Sequence, residues 1–397
     1  METDNLESAA RRAPGNPMSG PLEGIRVIEL SGIGPGPLAG QLLADLGADV
    51  ICIDRKAENP APTRPKDANR RGKRSIVINL KTDGATDIVL GLCKTADILI
   101  EGFRPGVAER LGLSPDAVHA INPALVYGRL TGWGQSGPLS DRAGHDINYI
   151  SITGALSSIG GKDRPVPPLN LVGDYAGGSL MLVFGVLAAL ISAKSSGQGQ
   201  VVDAAMTDGS AAIMSLIHSL LASSIWKDER EANIIDGGMP FYRCYETSDG
   251  KFMAVGALEP QFFAELIEGL GLGANWKTRQ YDESSWPEMQ SELARIFASR
   301  TRKDWTGVFE PTDACVSPVL DLAEAPLHPH NQARQTFVEI DGFPQPAPAP
   351  RFSGTKTTIP GSAYFQGEHS RAILAQAGYS NGAIDKLISD GKVQVAE

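Results

Sequence analysis

The sequence predicts an α/β protein in which a large parallel-sheet domain is followed by a smaller α+β domain. Three observations carry that prediction. From residue 25 short β-branched runs alternate with helical stretches; after Gly237-Gly238 the texture changes; and a proline-rich stretch then separates this second region from a helical tail. A length of 397 residues with 42% hydrophobic content is enough to form two cores.

Taken in order, IRVIEL, a glycine-rich turn, PLAGQLLADLG and ADVICID read as strand, helix and strand, the βαβ unit of a parallel sheet. SIVINL, DILIEG and LVYGRL are further buried strands, separated by the helical segments GATDIVLGLCKT and GVAERLGLSPDAVHAI. Asp174 precedes a small-residue turn and the apolar helix LMLVFGVLAALISA, where it suits the N-cap position. GQVVDAAM is another strand, and Asp208 is placed to cap a long helix running toward Trp226. TSDGKFMAVGAL reads as a hairpin-like turn feeding a strand of the second domain. The segment 343–350 reads as a connector, because proline supplies no backbone donor to a ladder or a helix. EHSRAILAQAGYSNGAIDKLISDG gives two helices that return to the first domain. The resulting boundaries are a flexible extension over 1–20, a large domain over 21–205 and 335–397, a linker helix over 206–235 and a small domain over 236–330.

A formal charge of -10 argues against nucleic acid or an anionic membrane as partner, since both require a basic field. The apolar stretch 180–193 is shorter than the roughly 20 residues a bilayer requires and reads as a core helix. Cys52, Cys93, Cys244 and Cys315 form no C-x-x-C pair and read as buried or free thiols of a reducing compartment. The N-terminal segment lacks the apolar core of a secretory signal, and the C-terminus lacks a Ser-Lys-Leu tail. A cytoplasmic location is expected, or a mitochondrial or peroxisomal one in a eukaryote.

Gly34-Pro-Gly36-Pro-Leu-Ala39 matches G-x-G-x-x-A between strand and helix, with Asp54 near the distance of a ribose-binding acid. Two prolines intrude where N–H groups would cradle a pyrophosphate, so the motif reads as a tight turn, with Arg55 suited to an anionic phosphate. DGSAA lacks the second glycine of a nucleophile elbow, and His328-Pro-His330 lacks further metal ligands.

Three ionisable residues stand at element junctions: His145 in AGHDINYIS, Asp174 in LVGDYAGGS and Glu259 in VGALEPQFF. The segment after His145 can be helix or strand. If it is a helix, the macrodipole disfavours an imidazolium and keeps the ring in the neutral form a base requires. Glu259 precedes Pro260, a favoured first helical residue, and glutamate is a poor N-cap, so capping explains it incompletely.

These residues, with PLEGIRVIELSGIGPGP, NRRGKRSIVINLK, EGFRPGVAERLGL, YGRLTGWGQSGP, PVPPLNLVGDYAGGS and GQGQVVDAAMTDGS in the same order, resemble the family III coenzyme A transferases, and within them the alpha-methylacyl-CoA racemase branch. The resemblance runs from about Pro21 to the C-terminus. It implies a Rossmann-like large domain and a small domain joined by long linkers, in a homodimer of interlocked chains. It further implies a 2-methylacyl-CoA thioester as substrate, with no metal or nicotinamide cofactor. By motif match His145 and Asp174 occupy the acid/base positions and Glu259 a supporting one, reaching the site from the partner chain. Coenzyme A contacts fall at Ile33, Arg55, Ile78, Lys81, Leu99, Arg104, Asp146 and Tyr149. The rival within the family is a coenzyme A transferase that uses Asp174 as a nucleophile; a histidine in the GHD motif favours the racemase.

Overall fold

The structure, a computed structural model, describes residues 19–55 and 65–396. The extension expected over 1–20 therefore lies, up to residue 18, outside the described residues. The chain divides into two compact units, one made of the residues through Thr153, Leu169–Ile213 and the chain from Gln332 onward, the other of Gly154–Pro168 and Met214–Asn331.

The first unit is organised on seven strands: β1 (Arg26–Leu30), β2 (Asp49–Asp54), β3 (Arg74–Ile78), β4 (Ile98–Glu101), β5 (Val126–Thr131), β6 (Val201–Ala205) and β7 (Val393–Gln394). Their order in the sheet is β7-β3-β2-β1-β4-β5-β6, and every pair is parallel except β7 with β3. Parallel strands are covered on both faces, and every residue of β4 and β5 is buried. Alternate side chains serve alternate cores. Ile28, Ile51, Ile76, Leu99 and Tyr127 join Ile373, Leu374 and Ile384 of the tail. Val27, Val50, Ile98, Ile100 and Val126 join Leu43 of the first helix, α1 (Pro35–Asp45), and Leu182, Val186 and Leu190. The tail forms the expected two helices, Ser370–Gln376 and Asn381–Ser389. The strand order reverses between β1 and β4, which opens a crevice at their C-terminal ends.

The second unit carries a three-stranded antiparallel sheet in which Phe252–Gly256 lies between Tyr242–Glu246 and Val316–Pro318. Helices Pro260–Gly269, Trp286–Phe297 and Arg302–Phe309 close a core of Phe263, Leu266, Met289, Phe297 and Trp305.

Several local expectations need correction. Residues Phe343–Pro346 form a strand after all, paired with Phe337–Ile340: the prolines fall at alternate positions of a two-stranded ribbon, and Gln345 between them faces Val338. Asp208 is not at the N-cap position but in the first turn of the helix Met206–Ile213, which begins directly at the end of β6, and a second helix, Ser215–Ala222, follows. The cysteines need no correction: all four are free thiols, Cys52 and Cys93 buried and Cys244 and Cys315 exposed. The apolar helix is longer than its sequence signature. A π-helical stretch, Leu171–Leu180, runs into Met181–Ser196, giving 26 residues long and apolar enough to cross a membrane by length and composition alone. Its Leu182, Val186 and Leu190 pack into the sheet core, while Leu180, Phe184 and Ile191 are exposed.

Candidate active site

A cleft of about 720 Å³ occupies the crevice of the first unit. Its walls are the turn Ser31–Gly36 after β1, Gly102–Pro105 after β4, Thr131–Trp133 after β5, Ala143–His145, and the side chains of Arg55, Arg70, Arg142, Tyr149, Asp174 and Gln366. Asp174 is the only carboxylate among these residues, against the four arginines Arg55, Arg70, Arg104 and Arg142. A strongly acidic chain thus concentrates positive charge in one concavity, which draws in an anionic ligand.

His145 is the N-cap of the helix Asp146–Ser151, which settles the segment as helical; its N–H donates to Asn148 Oδ1 at 3.0 Å and its carbonyl accepts from the Asn148 N–H at 2.8 Å. The chain ahead of it is held by aromatic packing. Tyr149 meets Trp133 edge to face at 4.9 Å between centroids, and its hydroxyl donates to the carbonyl of Gly144. Neither Gly132 nor Gly144 leaves room for a Cβ against these rings. The imidazole itself is exposed on the cleft wall.

Asp174 is not the helix cap the sequence suggests. The cap position is Asn170, and Asp174 lies inside the π-helical stretch, whose wide turns aim its carboxylate at the cleft instead of at the following glycines. Its N–H donates to Asp146 Oδ1 at 2.6 Å, and its Oδ2 accepts from Asn170 Nδ2 at 3.4 Å. Desolvation raises its pKa above the usual carboxylate value; the neighbouring Asp146 charge adds to the rise, while the Asn170 hydrogen bond and His145 oppose it.

Of the other expected contacts, Ile33 projects into the cleft at 89% exposure, and Arg55, Arg104 and Tyr149 also line it. Arg55 lies 6.0 Å from the centre of the Phe103 ring. Ile78 and Leu99 do not line it: both side chains are buried in the core on β3 and β4. Lys81 is exposed on the turn after β3 and is likewise not among the lining residues, and Asp146 is buried. Glu259 belongs to the second unit, at the N-cap of Pro260–Gly269, where its side chain makes no capping hydrogen bond.

Sequence reasoning missed Arg70, Arg142, Trp133 and Gln366. The signal for Arg70 was present in NRRGKR, but the loop's charges look alike until their partners are known. Arg71 is buried against Asp45, Lys73 against Glu29, and Arg74 is bound to Asp49; Arg70, paired with Asp67 at 3.3 Å and 5.4 Å from the Tyr364 ring centre, is the one that reaches the cleft.

A crevice at the strand-order reversal, lined with arginines and holding a histidine and a carboxylate, has the groups that acid/base or acyl chemistry on an anionic substrate requires. The family model for CoA-transferase family III matches residues 22–370, and the chain belongs to that family. It is 43% identical over 378 residues to the alpha-methylacyl-CoA racemase of Mus musculus, covering 94% of this chain and 97% of the relative. It is also 43% identical over 390 residues to the alpha-methylacyl-CoA racemase of Homo sapiens, covering 94% and 99%. The crystal structure of a CAIB/BAIF family protein from Brucella suis superimposes with a TM-score of 0.78 at 27% identity, over 91% of this chain and all of that one.

Proposed function

We propose that this protein is an isomerase that interconverts the two epimers of 2-methylacyl-CoA thioesters by moving the α-proton. The observation that carries the proposal is that His145 and Asp174 line one arginine-rich cleft. The end-to-end similarity to two racemases supports it.

Inverting a stereocentre requires one group to remove the α-proton and another to return a proton to the opposite face. In one direction the neutral His145 takes the proton and becomes imidazolium, and a protonated Asp174 delivers its own; in the other direction the roles reverse. The raised pKa of Asp174 favours the protonated form this step requires. Removing the proton leaves an enolate, and its oxygen requires donors in place before reaction; the backbone N–H groups at the start of Asp146–Ser151 are proposed to supply them. Arg55 and Arg104, expected contacts, and Arg70 and Arg142, added by the cleft lining, are assigned to the phosphates of coenzyme A. The proton moves between protein groups and carbon, so this mechanism calls for no metal or nicotinamide.

A homodimer is part of the proposal. Phe184 and Ile191 on the first unit and Leu216 and Ile225 on the second are large apolar side chains left 59–74% exposed, and a second copy of the chain is the proposed cover. Glu259 of the second copy is then proposed to support His145.

The family also contains CoA transferases, and Asp174 in the cleft is a carboxylate that such chemistry can use as nucleophile. Incubation of the thioester in deuterated water separates the two readings. Deuterium uptake at the α-carbon with no free acid present supports the isomerase, whereas coenzyme A exchange that requires an added carboxylic acid supports the transferase.

A further inference from the structure

Asp146, one of the expected coenzyme A contacts, has a buried side chain at 6% exposure, and one of its two oxygens is hydrogen-bonded. The first N–H groups of any helix have no partner within it, and in a π-helix, which bonds i to i+5, the orphans extend over the first five residues. Asp174 is the fourth residue of Leu171–Leu180 and so carries one of them. Asp146 Oδ1 accepts it at 2.6 Å, across 28 residues of sequence. Gly173 makes the approach possible: a Cβ there would lie 2.6 Å from Asp146 Oδ1 and 3.2 Å from the Asp146 carbonyl oxygen. A second tie holds the same stretch from the other side, where the buried hydroxyl of Ser179 donates to the Pro35 carbonyl at 2.7 Å and lies 3.2 Å from that of Asp174.

The other oxygen, Asp146 Oδ2, is buried and has no hydrogen-bond partner among the described residues. An asparagine at this position would accept the same N–H without leaving a lone anionic oxygen, so capping alone does not account for an aspartate. We propose that Asp146 is a positioning residue for the proton-transfer site: it fixes the backbone of Asp174 through Oδ1, and through its charge it keeps the Asp174 carboxyl able to hold a proton. The proposal rests on the isomerase reading only for the role of Asp174; the clamp itself is independent of it. The titratable groups around the Asp174 carboxylate are Asp146, His145 and Tyr149, with Arg104 facing Tyr149. The turn Ser31–Gly36 carries none, and the helix Met206–Ile213 packed on the π-stretch carries Asp208. Burial and the Asp146 charge both push the Asp174 pKa up.

The test uses the full chain with Asp146→Asn and Asp146→Ala, read by α-deuterium uptake into a 2-methylacyl-CoA across pH and by amide exchange of the peptide covering 171–180. Asn keeps the acceptor and removes the charge. Its kcat is expected to fall, but by less than that of the Ala variant, with the acidic limb of kcat/KM moved to lower pH. Ala removes both, and kcat is expected to fall on the order of ten- to a hundredfold at nearly unchanged KM, with the Asp174 amide losing protection. An Ala variant with parental kcat, or an acidic limb unmoved in the Asn variant, overturns the proposal. Because the Asn variant preserves the cap, its pH limb decides the matter even if the Ala variant fails to fold. A slow Asp174 amide in a parent protein that shows no α-exchange rejects the isomerase reading and leaves the clamp in place; a fast amide in the parent rejects the clamp whatever the activity.

Discussion

Arg71 holds Asp45 through two contacts, Nε to Oδ1 at 3.1 Å and Nη2 to Oδ2 at 2.6 Å, with both side chains almost wholly buried. The remaining guanidinium nitrogen, Nη1, donates to the Pro346 carbonyl at 2.7 Å and to Gln345 Oε1 at 3.2 Å. One arginine therefore joins the end of α1 to the ribbon formed by Phe337–Ile340 and Phe343–Pro346. Removing one partner of such a pair strands a charge in the interior. Arg71→Ala is expected to lower stability by about 3–5 kcal/mol in denaturant titration; a loss under about 1 kcal/mol would show that the pair is dispensable.

Glu101 at the end of β4 supplies a pH dependence of stability. Burial raises its pKa from 4.5 to about 7, even though it accepts the Phe103 N–H at 2.6 Å and lies 3.4 Å from Arg129. Between these values the folded chain binds a proton that the unfolded chain has released. The contribution is full below pH 4.5 and is lost as pH rises through about 7. The difference is on the order of 3 kcal/mol. Glu101→Gln, which keeps an acceptor for Phe103, is expected to flatten the stability profile between pH 5 and 7; an unchanged slope would assign it to other groups.

Arg55 and Arg104 are expected to act on substrate affinity and not on the chemical step. Replacing either with Ala removes charge-assisted contacts and should raise KM roughly tenfold or more with kcat little changed. Added salt should weaken the parent more than a variant lacking both. Equal losses in kcat and in kcat/KM would instead place these arginines at the reacting carbon.

The packing of Tyr149 on Gly132 and Gly144 predicts a cost for adding a single methyl group. Gly132→Ala places a Cβ into the Tyr149 ring and must displace it, together with the chain before His145. We expect a loss of about 1–3 kcal/mol in stability from overpacking. Activity should fall beyond what the unfolded fraction explains, as measured by α-deuterium uptake per folded protein. Parental activity would show that this packing does not set His145.

Six of the seven strands of the first unit were legible because short runs rich in Val, Ile and Leu stand between helical segments, and the tail helices because their apolar spacing persists through Ile373 and Ile384; the two-residue strand Val393–Gln394 was too short to be read. The ribbon at Phe343–Pro346 was hidden because its pairing depends on which N–H groups face the partner, and composition does not reveal that. Asp174 looked like a cap because nothing local announces a π-helix: the wide turn is held by contacts from distant residues, Asp146 and Pro35 among them. Ile78 and Leu99 were matched by motif, yet they face the core, because along a strand only the direction of each side chain decides between interior and cleft. Arg70 was indistinguishable from its neighbours until the others were seen to be held in or near the interior by Asp45, Glu29 and Asp49, while Arg70, paired with Asp67 at 3.3 Å, lies at the cleft.

The central claim, that His145 and Asp174 exchange a proton with the α-carbon, is tested most directly with one epimer of a 2-methylacyl-CoA in deuterated water, without any acceptor acid. The account predicts α-deuterium uptake together with loss of stereochemical purity, and failure of epimerisation in His145→Ala and in Asp174→Ala. Epimerisation at the parental rate in either variant, or no uptake by the parent until a free carboxylic acid is added, would contradict it.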